Sequence, residues 1–169
     1  MITEFIAAER IKERIREMGS EITEAYAGLD ELVIVAVLKG SFIFTADLVR
    51  EIRLPCRIEF IRASSYGAQR ISTGRVTIEI ELNLERCNVL LVEDIIDTGL
   101  TLSSIIAELR KLHPASLKVC SLIDKPSARK FPVHADYTGF SIPDHFVVGY
   151  GLDDAEKYRE LPFIALLEA

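Results

Sequence analysis

A chain of 169 residues is long enough for one domain with a sizeable core. It is 49% hydrophobic and 27% charged, an ordinary globular composition, and no apolar run approaches the roughly 20 residues of a membrane-spanning helix. The net charge of −6 excludes non-specific nucleic-acid binding, which needs a basic footprint, and obliges any phosphate site to gather its cations locally.

The first ten residues lack the basic-then-apolar layout of a signal peptide, so a cytoplasmic location is expected. Residues 7–27 predict an amphipathic helix: Ile11, Ile15, Met18 and Ile22 recur at helical spacing, with Gly19 weakening the middle. Residues 31–38 are a nearly unbroken apolar run, a central strand ended by Lys39-Gly40-Ser41, and 42–52 predict a helix. Residues 57–63 alternate as a strand. Residues 64–74 are polar, contain Gly67 and Gly74, and predict a long loop. Residues 75–82 alternate Val76, Ile78, Ile80 and Leu82 with polar residues, a half-exposed strand.

Residues 89–92 read as a buried strand whose end carries Glu93, Asp94 and Asp97. Leu102, Ile105, Ile106, Leu109 and Leu112 follow at helical spacing, and Pro114 ends that helix. Residues 117–123 predict another buried strand. Residues 124–169 predict short strands and loops, with 146–148 and 164–167 as the apolar pieces. Cys56, Cys87, Cys120, His113, His134 and His145 lack metal-ligand spacing and read as structural or surface residues, with Cys120 a reduced core thiol. The order predicts one α/β domain over 1–169, with a mostly parallel central sheet flanked by helices. Ligands in such sheets bind beyond the carboxyl ends of strands. Three breaks fall there: Lys39-Gly40, residues 93–101, and Asp124-Lys125.

The most informative stretch is Glu93-Asp94-Ile95-Ile96-Asp97-Thr98-Gly99-Leu100-Thr101. Gly99 permits close backbone approach, Thr98 and Thr101 offer hydroxyls, and N–H groups at a helix N-terminus attract phosphate. Helix capping by a threonine explains the turn alone. It does not explain the acidic pair just upstream. Beside a bound phosphate, Glu93 and Asp94 need sugar hydroxyls or a divalent cation between. The absence of GxxxxGK, and of GxGxxG after a strand, disfavours a P-loop nucleotidase and a dinucleotide-binding fold. A phosphorylation-receiver domain would place its acidic pair after the first strand, where Lys39-Gly40-Ser41 stands.

This stretch closely resembles the phosphoribosyl-pyrophosphate signature of the purine phosphoribosyltransferases. Leu38-Lys39-Gly40-Ser41, Ser64-Ser65-Tyr66-Gly67, Lys125, and residues 142–150 (Ile-Pro-Asp-His-Phe-Val-Val-Gly-Tyr) followed by Asp153 and Arg159 match in order, over residues 5–165. The 146–150 segment with a following Asp is similar to the 6-oxopurine branch, the hypoxanthine(-guanine) phosphoribosyltransferases of bacterial type. The resemblance implies a type I phosphoribosyltransferase-like fold, with a small hood from the termini and C-terminal segment. It implies transfer of a phosphoribosyl group from phosphoribosyl pyrophosphate to hypoxanthine or guanine, giving IMP or GMP and pyrophosphate. It further implies Mg2+ as cofactor and a homodimer or homotetramer.

By the same resemblance, Asp97 would accept the purine N7 proton. Glu93 and Asp94 would hold the ribose hydroxyls and contact magnesium. The turn of Asp97, Thr98, Gly99, Leu100 and Thr101 would hold the 5-phosphate. Lys39, Gly40, Ser65, Tyr66 and Arg159 would hold pyrophosphate, with a peptide at Lys39-Gly40 that is often cis in the family, and the 64–74 loop would close to exclude water. Lys125 would donate to the purine 6-oxo group, Phe146 would stack on the ring, and the Val147 backbone would read its edge. Asp153 would lie beside the purine and bind magnesium through water.

Three departures stand out. Leu100 sits where relatives often carry a polar or basic residue. Asp124 is placed to pair with Lys125. Residues 69–75 carry two Arg residues and lack an acidic residue after Ser72-Thr73. Two alternatives remain: a non-catalytic nucleotide- or RNA-binding regulator on the same fold, disfavoured by the charge and by the intact Asp97, and a transferase using adenine, xanthine or a pyrimidine.

Overall fold

Successive side chains of a strand point to opposite faces, and in this chain both faces of the central strands are apolar. In the computed structural model, residues 1–65 and 76–167 are described. The elements are β1 (Ile2–Ile6), α1 (Ala8–Ala25), β2 (Leu32–Leu38), α2 (Phe42–Glu51), β3 (Cys56–Ser65), β4 (Val76–Glu79), β5 (Asn88–Ile96), α3 (Leu100–Arg110), β6 (Ser116–Asp124), β7 (Tyr137–Ser141), β8 (Val147–Val148) and β9 (Ile164–Leu167). Among the described residues, one sheet has the order β4-β3-β2-β5-β6-β7, and its strands pair in parallel except β4 with β3.

Leu32, Ile34, Leu90 and Val92 face α1 and α2, meeting Ile11, Ile15, Met18, Ile22, Phe44 and Leu48. Val33, Val35, Val37, Val89 and Leu91 face α3, meeting Leu102, Ile105 and Leu109. Helices on both faces are what buried parallel strands require, and they explain why β2 and β5 read as unbroken apolar runs. Helix α1 passes through Gly19 without a break. A Cβ there would lie 2.5 Å from Glu51 Cβ and 2.8 Å from its carbonyl oxygen. The glycine therefore lets the end of α2 lie on α1, which offsets its cost of roughly 1 kcal/mol in helix propensity.

A second, antiparallel sheet of order β1-β9-β8 joins the two ends of the chain, with Ile2 opposite Leu167 and Val147 opposite Leu166. This is the hood. Its Ile6, Val147 and Ile164 belong to the same apolar cluster as Phe44 of α2 and Leu122 of the main sheet. Strand β1 was not legible in the sequence, because only Ile6 of its five residues is buried.

Several boundaries differ from expectation, among them those of three strands. Strand β3 runs on to Ser65, so Ser64 and Ser65 belong to a strand and not to the expected 64–74 loop, whose remaining residues 66–74 lie outside the described residues. Strand β4 is shorter than 75–82. Strand β5 continues through Glu93 and Asp94 to Ile96, because β6 pairs alongside it as far as Ile96 opposite Asp124.

Candidate active site

Three carboxyl strand ends and the hood meet at one point. After β2 the Leu38–Lys39 peptide is cis, one bond earlier than Lys39-Gly40. Buried Ser41 donates its hydroxyl to the Val37 carbonyl at 2.6 Å and starts α2. A Cβ on Gly40 would lie 1.6 Å from Asp94 Oδ2. On the other side, a Cβ on Gly151 of the hood would lie 2.2 Å from the Gly40 carbonyl oxygen, and Gly151 has a φ of +99°. Only glycine fits both positions, so the β2–α2 turn is clamped between β5 and the hood.

The end of β5 carries the acidic pair. Glu93 is buried, and burial first, then the Asp94 charge, pushes its carboxyl well above the ordinary range. Asp94 is pushed up to about 6, mainly by burial, with Asp153 adding to the rise. Its own backbone N–H, that of Ile95 at 2.8 Å, and the Arg159 charge oppose the rise without cancelling it. The negative charge here is under-compensated by the protein.

The following turn is held by its carbonyl oxygens. Asp97 O accepts from Arg129 Nε at 3.1 Å, Thr98 O from the N–H groups of Lys130 and Phe131, and Gly99 O from Ser103 N–H. Among the described residues, the N–H groups of Thr98, Gly99, Thr101 and Leu102 have no acceptor, while Leu100 N–H reaches Thr98 Oγ1 at 3.3 Å. Gly99 has a φ of 87°, which turns these donors outward into the start of α3. Free N–H groups at a helix start form an anion cradle. Together Gly40, Glu93, Asp94, Asp97, Thr98 and Thr101 line a cavity of ≈ 280 Å³.

Beyond β6, Lys125 is only 5% exposed. Its N–H donates to Ile96 O at 2.9 Å, and its ammonium lies 3.7 Å from Asp97 and 3.4 Å from Asp144. Asp97 itself is half exposed. Asp124 does not pair with Lys125 as expected. It pairs with Arg129, because consecutive residues at a strand end point to opposite sides. Phe146 is 55% exposed, so it is not a core residue, and Val147 lies buried in β8.

From the hood, Arg159 donates to Gly151 O at 2.7 Å and pairs with Asp153 at 2.9 Å, while Lys39 pairs with Glu156 at 2.9 Å. The structure thus brings Lys39, Gly40, Glu93, Asp94, Asp97, Thr98, Gly99, Leu100, Thr101, Lys125, Asp153 and Arg159 to one region. The side chain of Ser65 and all of Tyr66 lie outside the described residues. Sequence reasoning missed Arg129, Asp144 and Glu156. Asp144 lies inside a matched segment, whereas Arg129 and Glu156 carried no local signal.

Among the described residues, no three carboxylates, imidazoles or thiols converge to enclose a metal ion. Mg2+ is commonly held by one or two carboxylates, with water and substrate phosphates completing its shell. The under-compensated Glu93–Asp94 pair is a donor set of that kind.

A model of the phosphoribosyl transferase domain matches residues 1–155. The chain is 46% identical over 162 residues to the hypoxanthine phosphoribosyltransferase of Buchnera aphidicola subsp. Schizaphis graminum, covering 94% of this chain and 92% of that one. It is 44% identical over 165 residues to the hypoxanthine-guanine phosphoribosyltransferase of Bacillus subtilis, covering 96% and 91%. The crystal structure of a hypoxanthine-guanine phosphoribosyltransferase from Bacillus anthracis superposes with a TM-score of 0.92 at 48% identity, covering 98% of each chain.

Proposed function

Because the chain belongs to the phosphoribosyl transferase domain family, we propose that it is a purine-salvage enzyme that transfers the phosphoribosyl group of phosphoribosyl pyrophosphate to hypoxanthine or guanine. N9 of the purine bonds to C1 of the ribose as the C1–O bond to pyrophosphate breaks, and N7 gives up its proton. In this reading the free N–H groups of Thr98, Gly99, Thr101 and Leu102 and the two threonine hydroxyls hold the 5-phosphate. Glu93 and Asp94 accept hydrogen bonds from the ribose hydroxyls, which answers their excess negative charge. Asp97 takes the N7 proton, and the Lys125 ammonium lies 3.7 Å from that carboxylate. Lys39, Gly40 and Arg159, with Ser65 and Tyr66, hold the pyrophosphate. Glu93 and Asp94, with Asp153 through water, would hold a Mg2+, which would supply positive charge to neutralise the leaving group.

The observation that carries the choice of base is Lys125. A buried ammonium can only donate, so it favours a 6-oxo acceptor and disfavours the 6-amino donor of adenine. Exposed Phe146, two residues after the Lys125 partner Asp144, offers a stacking face, and the Val147 backbone the edge contact. The fold supports residues 1–169 acting as one domain, since the hood shares its apolar cluster with the main sheet. Exposed Phe42, Ile58 and Phe60 support assembly into a homodimer or homotetramer. In the same reading the reaction runs in the cytoplasm.

One assay tests the core of this. Purified protein receives phosphoribosyl pyrophosphate, magnesium and one of hypoxanthine, guanine, xanthine or adenine. Turnover is expected with hypoxanthine or guanine. Turnover with adenine alone, or with none, overturns the reading.

A further inference from the structure

Both cations assigned to pyrophosphate are occupied by carboxylates of one hood turn. Lys39 Nζ lies 2.9 Å from Glu156, and the Arg159 guanidinium lies 3.5 Å from that same carboxylate and 2.9 Å from Asp153. Glu156 is thus within ion-pair range of two cations that reach it from different parts of the chain. The hydrogen bond from Lys39, and then the Lys39 charge, hold its carboxyl below the ordinary range.

The turn that presents Glu156 is tightly determined. Asp154 and Lys157 exchange backbone hydrogen bonds of 3.2 and 3.0 Å, and Asp153 Oδ2 accepts the Glu156 N–H at 2.8 Å. Ala155, Glu156 and Tyr158 take φ values of 49°, 65° and 76°. The left-handed region is unfavourable for residues with a Cβ, so these bonds, not local preference, hold the turn. The carboxylate of Glu156 is therefore delivered to the cations by a defined backbone, not by a free side chain.

A carboxylate bridging two cations does there what a phosphate oxygen does: it is an anionic acceptor for charged donors. Resting on the reading that Lys39 and Arg159 hold pyrophosphate, we infer that Glu156 is an internal stand-in for pyrophosphate. It keeps the two cations oriented in the free enzyme and yields to the diphosphate of the substrate. A diphosphate carries more charge and more acceptors than one carboxylate, so it wins the exchange at a cost in affinity. That cost applies alike to substrate and to released pyrophosphate. Glu156 is a positioning residue that sets how tightly the diphosphate is held and how readily the product leaves, without touching the reacting carbon.

The test is a calorimetric titration of pyrophosphate into the full chain and into Glu156→Gln, at low salt and with magnesium. The variant is expected to bind about two- to tenfold more tightly, the range for releasing cations from exposed ion pairs. The KM for phosphoribosyl pyrophosphate should fall by a similar factor, with kcat changed less. Unchanged or weaker binding overturns the inference, and a damaged fold does not imitate a gain in affinity. Combining Glu156→Gln with Lys39→Gln should shrink the gain, because the carboxylate acts partly through that lysine. A gain of full size in the Lys39→Gln background also overturns it. If the unaltered chain fails to bind pyrophosphate at all, the reading of Lys39 and Arg159 falls, and this inference with it.

Discussion

Glu93–Asp94 at the end of β5 and Asp153–Glu156 in the hood are acidic groups of the same kind in opposite settings. The first pair is held at a strand end by a parallel partner strand, and burial drives its carboxyls upward. In the second, Arg159 pairs with Asp153 and Lys39 with exposed Glu156, which is driven downward. Charge that the protein leaves uncompensated can be met by something that binds, in the proposed reading sugar hydroxyls and a divalent cation. Charge already met by protein cations instead competes with what binds. A net charge of −6 is thus compatible with a phosphate site, because the compensation is local and unequal.

Asp97 stands between these extremes, and altering it should have the largest effect. It is half exposed and has one cation, Lys125, at 3.7 Å. Asp97→Asn should lower kcat by about 10- to 10⁴-fold, the range for general acid–base groups, with binding of the 5-phosphate nearly intact. Steady-state kinetics with hypoxanthine measures it, and an unchanged kcat would remove Asp97 from the role of base. Lys125→Met comes next. Hydrogen bonds from charged donors contribute about 1.5–3 kcal/mol, so kcat/KM for hypoxanthine should fall by about 10- to 150-fold. The ratio of hypoxanthine to adenine use should fall with it. A variant that keeps that ratio would show that discrimination lies elsewhere, in the Val147 backbone or Phe146.

The parts of this comparison that the sequence displayed are those contiguous in the chain. Residues 93–101 lie in one strand–turn–helix unit, so carboxylates, glycine and threonines could be read together. The central strands were legible because burial on both faces writes unbroken apolar runs. Strand β1 was not, since it is held by backbone pairing to β9 at the far end of the chain, with four of its five residues exposed. Arg129 was invisible for a related reason. Its contacts to Asp97, Asp124 and Val133 depend on how residues 125–133 fold back over the turn, not on spacing. The expected Asp124–Lys125 pair failed because neighbours in sequence diverge in space. Glu156 and Lys39 are 117 residues apart and meet only once the hood closes on the β2–α2 turn.

The smallest effect sharpens the contrast most, because Asp94 of the first pair and Glu156 of the second should answer pH with opposite signs. Asp94 has a folded value near 6 against its ordinary 3.8. Between those values the folded protein binds a proton that the unfolded chain does not, so this group's contribution is full at about pH 4 and is lost as pH rises through about 6. Glu156 runs the other way: its folded value is lowered, so its contribution is present above the ordinary carboxylate range and lost as pH falls through the lowered value. Full exposure keeps that second contribution too small to see in a melting curve. Asp94→Asn retains an oxygen for the Ile95 N–H and removes the charge. At pH 8, with neither substrate nor magnesium, its Tm should exceed that of the unaltered chain by about 2–4 °C, and the gap should close near pH 4. Phosphoribosyl pyrophosphate with magnesium should reverse the order at pH 8, since the ionised carboxylate gains the ribose hydroxyls and the variant gains less. A gap that is constant from pH 4 to pH 8 would mean that the Asp94 charge is already compensated inside the protein, and the contrast between the two pairs would dissolve.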